Sequence, residues 1–202
     1  SHVNPVDIGG VLGTLRWTGA NYADQTGIWT FTRSEAGEEV AITRPTAIRT
    51  AFDRERNGKS EIMVIFIGQN GGYTDIDDLI RTHRLMIDHF KGKEYVILGL
   101  SSGTAAQRAD YEAAMTEAFG RRFVSLRAYL AHPIYDTDGK TIISCYGLDD
   151  AGLDPTDADI ERIKNGQVPQ TLLSDSVHYT AETKTVIGTM LYKKMVELGI
   201  LE

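Results

Sequence analysis

Residues 61–70, EIMVIFIGQN, set six apolar side chains in succession between a glutamate and a Gly-Gln-Asn turn. A continuous apolar run, rather than an alternating one, suits a parallel strand buried on both faces. Outward from it the chain changes period. Over residues 75–90, Ile76, Leu79, Ile80, His83, Ile87 and Phe90 recur at helical spacing, which puts His83 on the apolar face as a core residue. EYVILGL at 94–100 repeats the buried-strand signal. Residues 105–119 carry Tyr111, Ala114, Met115 and Ala118 on one helical face, with Gly120 as the stop, and RFVSL at 122–126 is a third, shorter strand. A polar stretch runs from His132 to Gln170. A last helix, about 181–198, turns Ile187, Met190, Leu191, Met195 and Leu198 inward, with Lys193 and Lys194 in the half where the helix dipole favours cations. The alternation predicts an α/β fold, a parallel sheet with helices on both faces in three α/β/α layers.

Upstream of Pro45 the pattern is different. VLGTLRW (11–17), GIWTFTR (27–33) and EEVAIT (38–43) are short, rich in β-branched and aromatic residues, and separated by turn residues. They predict a small β module over residues 1–45, ahead of an α/β domain over 46–202. Trp17, Trp29 and Phe31 read as the packing of a small core, the other use of such a cluster being a carbohydrate-stacking face. RTAFDRERNGK at 49–59 interleaves bases with acids and reads as solvated helix or loop. No strand and glycine turn of the kind that opens an α/β domain lies near the start, and Ser1-His2 resembles an expression remnant, so a missing upstream segment is expected.

Composition narrows the chemistry. With 202 residues, 42% of them hydrophobic, the chain can bury an ordinary core. A net charge of −7 argues against nucleic acid held through its phosphates. No apolar run approaches a membrane span and no leader opens the chain, so a soluble protein is expected, secreted if an upstream signal was removed. The single cysteine, Cys145, excludes an internal disulfide and a cysteine-cluster metal site, and no cysteine-protease signature surrounds it. The acids of LDDAGLDPTDAD (148–159) lack the spacing of a calcium loop. Asp154-Pro155-Thr156 reads better as a turn and helix start.

In an open parallel sheet the ligand crevice lies beyond the carboxyl ends of the strands. Three segments converge there: GQNGGY (68–73), SSGT (101–104), and the loop LLSDSVHYT (172–180). In the last, Asp175 and His178 stand three residues apart before a helix, where the acid can fix the tautomer of the imidazole and stabilise its charged form. Alone, the same string is an acidic turn with a surface histidine. Asn70 sits just past a strand end, where its amide can donate to a developing oxyanion, and Gly68, Gly71 and Gly72 let the backbone approach a substrate. His89 and His132 read as exposed.

VIFIGQNGG followed much later by LLSDSVHYT and a closing helix resembles the third and fifth conserved blocks of the SGNH, or GDSL, hydrolases. The resemblance covers roughly residues 60–202. It implies a flavodoxin-like three-layer fold, with Asn70 as oxyanion-hole donor, Asp175 as orienting acid and His178 as general base. Gly71 stands where the family's third block usually has aspartate. No G-D-S block precedes Asn70, so the nucleophilic serine and its companion glycine are absent from these 202 residues. Ser101 and Ser102 fall on a substrate-facing loop.

Two functional classes follow. One is a serine esterase acting on an ester substrate, such as an acylated and in particular acetylated carbohydrate, with its serine on a missing amino-terminal segment and with no cofactor and no metal. The other is a non-catalytic binding or assembly module that keeps the hydrolase shape. In either, the edge left open beside residues 62–67 pairs with the missing segment or makes a homo-oligomer.

Overall fold

The computed structural model describes residues 3–19, 26–51, 53, 62–90, 92 and 94–202. It divides the chain into two units, Ser1–Ser60 and Glu61–Glu202. In the first, β1 (Val3–Ile8), β2 (Val11–Thr18), β3 (Ile28–Arg33) and β4 (Ile48–Thr50) form an antiparallel sheet in the order β3-β2-β1-β4. Gly9 and Gly10, at φ +61° and +86°, make the two-residue turn between β1 and β2, a conformation that only glycine adopts cheaply at both positions.

Three expectations for this unit are corrected. Its boundary moves from residue 45 to residue 60, because Ile48–Thr50 pairs with β1 and so belongs to this sheet. EEVAIT is not a strand: its residues are exposed, and the chain leaves β3 in a turn closed by the Arg33 guanidinium on the carbonyls of Gly37 and Glu38. The aromatic cluster does not pack a core. Trp17 and Trp29 are cross-strand partners with ring centroids 5.5 Å apart, but Trp29 is 53% exposed, and Val6 is the buried hydrophobic among the described residues of the unit. The stretch 49–59 lies largely outside the described residues.

The second unit contains a parallel sheet in the order β5-β6-β7, formed by β5 (Ile62–Ile65), β6 (Glu94–Leu98) and β7 (Phe123–Val124). Helices α1 (Ile76–Phe90) and α2 (Ala105–Phe119) are the two crossovers. Successive right-handed crossovers between neighbouring strands taken in one direction put both helices on one face. There Ile65, Ile97 and Phe123 meet Leu79, Ile80, Tyr111, Met115 and Phe119. Leu98, one residue on from Ile97, points to the other face and joins a second cluster with Leu126, Leu130, Leu148, Ile163, Leu172, Val186 and Met190. Helices therefore cover both faces, as expected, but the second face is covered from the chain after β7.

That covering comes from α3 (Leu126–Leu130), the hairpin β8 (Pro133–Tyr135) and β9 (Ile142–Cys145), α4 (Tyr146–Ala151), α5 (Asp157–Lys164) and α6 (Ala181–Glu197). The polar stretch from His132 to Gln170 thus holds a hairpin and two helices. Thr156 caps α5 in a capping box with Asp159, so Asp154-Pro155-Thr156 is the turn and helix start that its residues suggest. His83 is fully buried, its Nδ1 2.8 Å from the Leu79 carbonyl. The first strand is not buried on both faces. Val64 is 42% and Phe66 41% exposed, because β5 is the outermost strand of its sheet. Among the described residues no helix is long and apolar enough to cross a membrane.

Candidate active site

Since β5, β6 and β7 are parallel, the loops that follow them emerge at the same end of the sheet. After β5 the chain makes a turn closed by the Gly71 amide on the Gly68 carbonyl at 3.0 Å. Gly68 sits at φ +93°, a backbone conformation that favours glycine, and a Cβ there would stand 3.2 Å from the Leu79 side chain, which would have to give by a few tenths of an ångström. Gly71 and Gly72 also have positive φ but face open space. The turn leaves Asn70 exposed and brings Gln69 inward, where its Oε1 accepts the Ser101 amide at 3.1 Å. Gln69 thereby ties the Asn70 turn to the loop after β6.

On that second loop the two serines have separate fates. Ser101 is 7% exposed and lies beside the Tyr179 hydroxyl, whose pKa burial pushes up to about 12 with partial relief from Ser101. Ser102 Oγ accepts from Arg108 Nη2 at 2.9 Å, and its carbonyl accepts from Arg108 Nε at 2.7 Å. Neither hydroxyl is hydrogen-bonded to His178.

The third loop is closed on itself. Leu173 and Tyr179 form an antiparallel bridge, and the Ser174 amide donates to the His178 carbonyl at 2.7 Å. Within it, Asp175 Oδ1 accepts the amides of Val177 and His178, each at 2.8 Å, and Oδ2 lies 2.7 Å from His178 Nδ1. The His178 amide, the Val177 amide and the His178 ring hold the Asp175 carboxyl down at about 2, against an ordinary 3.8. The ionised carboxylate can only accept, so His178 Nδ1 carries the hydrogen and Nε2 is the acceptor of the neutral ring. Both side chains are open to solvent, at 53% for Asp175 and 75% for His178.

The three loops meet around a small cavity of about 60 Å³ whose lining includes Gln69, Ser101, Ser102, Arg162, Ser176 and Val177. Asn70 is next to one of these residues, and Asp175 and His178 bracket two of them. Neither Gln69 nor Tyr179 carries a sequence motif that would mark it. Cys145 is fully buried in the core beside Leu148, and burial pushes its thiol up, away from a nucleophile's range. Among the described residues no group of three or more His, Cys, Asp or Glu side chains is placed to hold a metal ion.

The arrangement can accept a proton at His178 Nε2 and offer amide hydrogens from Asn70. Among the described residues, no serine, threonine or cysteine is hydrogen-bonded to the His178 ring. No family model, curated protein or solved structure matches the chain.

Proposed function

We propose that this chain carries the oxyanion donor, acid and base of a serine ester hydrolase of SGNH type, with the nucleophilic serine supplied by a segment outside residues 1–202. The observation that carries this reading is the Asp175–His178 pair, whose hydrogen bond fixes the tautomer a general base needs and leaves Nε2 open to a nucleophile. The open side of β5 supports it as well. A parallel strand rarely ends a sheet with apolar side chains uncovered, and Val64 and Phe66 are what an added first strand and its connections would cover. The finer fold is then the three-layer SGNH architecture lacking that strand.

In the complete site His178 Nε2 takes the serine proton as the serine oxygen bonds to the ester carbonyl carbon. Asn70 and backbone amides hold the resulting oxyanion. The tetrahedral species collapses, the C–O bond to the alcohol breaks, and the proton on Nε2 passes to the departing oxygen. Water then repeats the sequence on the acyl-enzyme, giving its proton to Nε2, and the free acid leaves as the serine is reprotonated. An acetylated carbohydrate is the substrate class proposed.

The second reading is a non-catalytic binding module, favoured by the exposure of the pair and by its lack of a nucleophile. Aryl acetate hydrolysis separates the two, measured on this chain and on the natural gene product that contains it. Hydrolysis by the longer product alone, with a serine-directed phosphonate attached outside residues 1–202, is expected. An inert, unlabelled longer product overturns the proposal, and labelling at Ser101 or Ser102 overturns the assignment of the nucleophile.

A further inference from the structure

Asp159 is fully buried, and its four hydrogen-bond donors come from two separate segments. Thr156 supplies its amide at 3.0 Å, as a capping box requires, and its hydroxyl at 2.7 Å. Thr171, twelve residues on, supplies its amide at 3.1 Å and its hydroxyl at 2.6 Å, and capping α5 requires neither. A buried carboxylate with that many donors is a rigid joint, because moving Thr171 away would strand a charge in the core.

Thr171 leads directly into the Asp175–His178 loop. The carbonyl of Leu172 accepts the Thr180 amide at 3.1 Å and the Thr183 hydroxyl at 2.8 Å, which fixes both ends of the loop at one point. The far side is tied once. Gln170 Nε2 donates to the Asp175 carbonyl at 2.8 Å, and Gln170 Oε1 accepts from Arg162 of α5 at 3.4 Å. Helix α5 therefore holds the loop at its base through Asp159 and at its tip through Gln170.

We infer that Asp159 and Gln170 are positioning residues for the Asp175–His178 pair, Asp159 acting through Thr171 and Gln170 through the backbone of Asp175. Their service to catalysis rests on the hydrolase reading above, but their effect on His178 does not. The effect is visible in the tautomer of the neutral His178 ring, which nitrogen chemical shifts report on this chain with no reaction running.

Thr171→Val removes one donor at almost constant shape, and Thr171→Ser keeps it. The Nδ1–H form of His178 is expected to dominate in the parent and in Thr171→Ser, and to fall toward the mixture of free imidazole in Thr171→Val and Gln170→Ala, with His132 unchanged. In a longer product that hydrolyses esters, the same two variants are expected to lose up to about 100-fold in kcat at similar KM, the scale of a 1 Å misplacement. A parent-like tautomer in folded Thr171→Val overturns the inference, as does an equal loss in Thr171→Ser. Should Thr171→Val not fold, Gln170→Ala decides by the same readout, since that side chain is exposed and its loss leaves the core intact. An inert longer product would overturn the hydrolase reading and leave this measurement standing.

Discussion

His178 Nδ1 lies 2.7 Å from one oxygen of Asp175 while the His178 amide lies 2.8 Å from the other, so a single carboxylate holds both the ring and the backbone of its partner. Asp175→Asn keeps the shape but turns one acceptor into a donor, which disfavours the Nδ1–H tautomer. In a nucleophile-containing version kcat is expected to fall by about four orders of magnitude with the fold intact, as in other acid–histidine–serine sites. Aryl acetate turnover and circular dichroism check this, and survival of activity within about tenfold would remove Asp175 from the role.

The role proposed for Asn70 makes a different prediction, because an oxyanion donor acts only as charge develops. In a nucleophile-containing version Asn70→Ala is expected to lower kcat by about 10²- to 10³-fold and to leave KM nearly unchanged. A rise in KM at constant kcat would mark Asn70 as a ground-state contact instead.

How far the site was legible depended on whether its contacts are local. Asp175 and His178 are three residues apart, a spacing at which the two side chains can meet, although the string alone reads also as an acidic turn with a surface histidine. Gln69 acts on an amide 32 residues away, and nothing near it in the chain reveals that. The fold divides the same way. The apolar run of β6 reads directly as a buried strand, whereas α3 and α4 have five and six residues, too few to repeat a helical period, and of the eight-residue α5 the residues mark only the start. The buried aliphatics of that region, Leu130, Leu148 and Ile163, are scattered among polar residues. Trp29 was misread because strand spacing is the same whether or not a second layer covers the sheet.

His83 gives the chain an acid-sensitive core. Burial lowers its pKa below the ordinary 6.5, with the Leu79 carbonyl partly opposing, and Nε2 has no hydrogen-bond partner among the described residues. The unfolded chain therefore takes up a proton that the folded one resists. Stability is fully present above pH 6.5 and is lost as the pH falls below it toward the depressed folded value. Urea midpoints at pH 7.5 and pH 5 are expected to differ by more in the parent than in His83→Phe. An equal difference in both would mean that His83 is already charged in the native core or that its titration does not matter.

The open side of β5 predicts association. At rising concentration the chain is expected to self-associate, read by light scattering, and Val64→Lys is expected to suppress this by placing a charge on the uncovered strand. A strictly monomeric parent over the whole range would show that the edge is already protected.

The loop that holds Asp175 and His178 closes within seven residues through the bridge between Leu173 and Tyr179, and the bonds between the two residues lie inside it, while Gln170 and Thr171 tie the loop to α5 from outside. The contact between acid and imidazole is therefore local in the chain, and it can form before the longer-range parts of the molecule are in place.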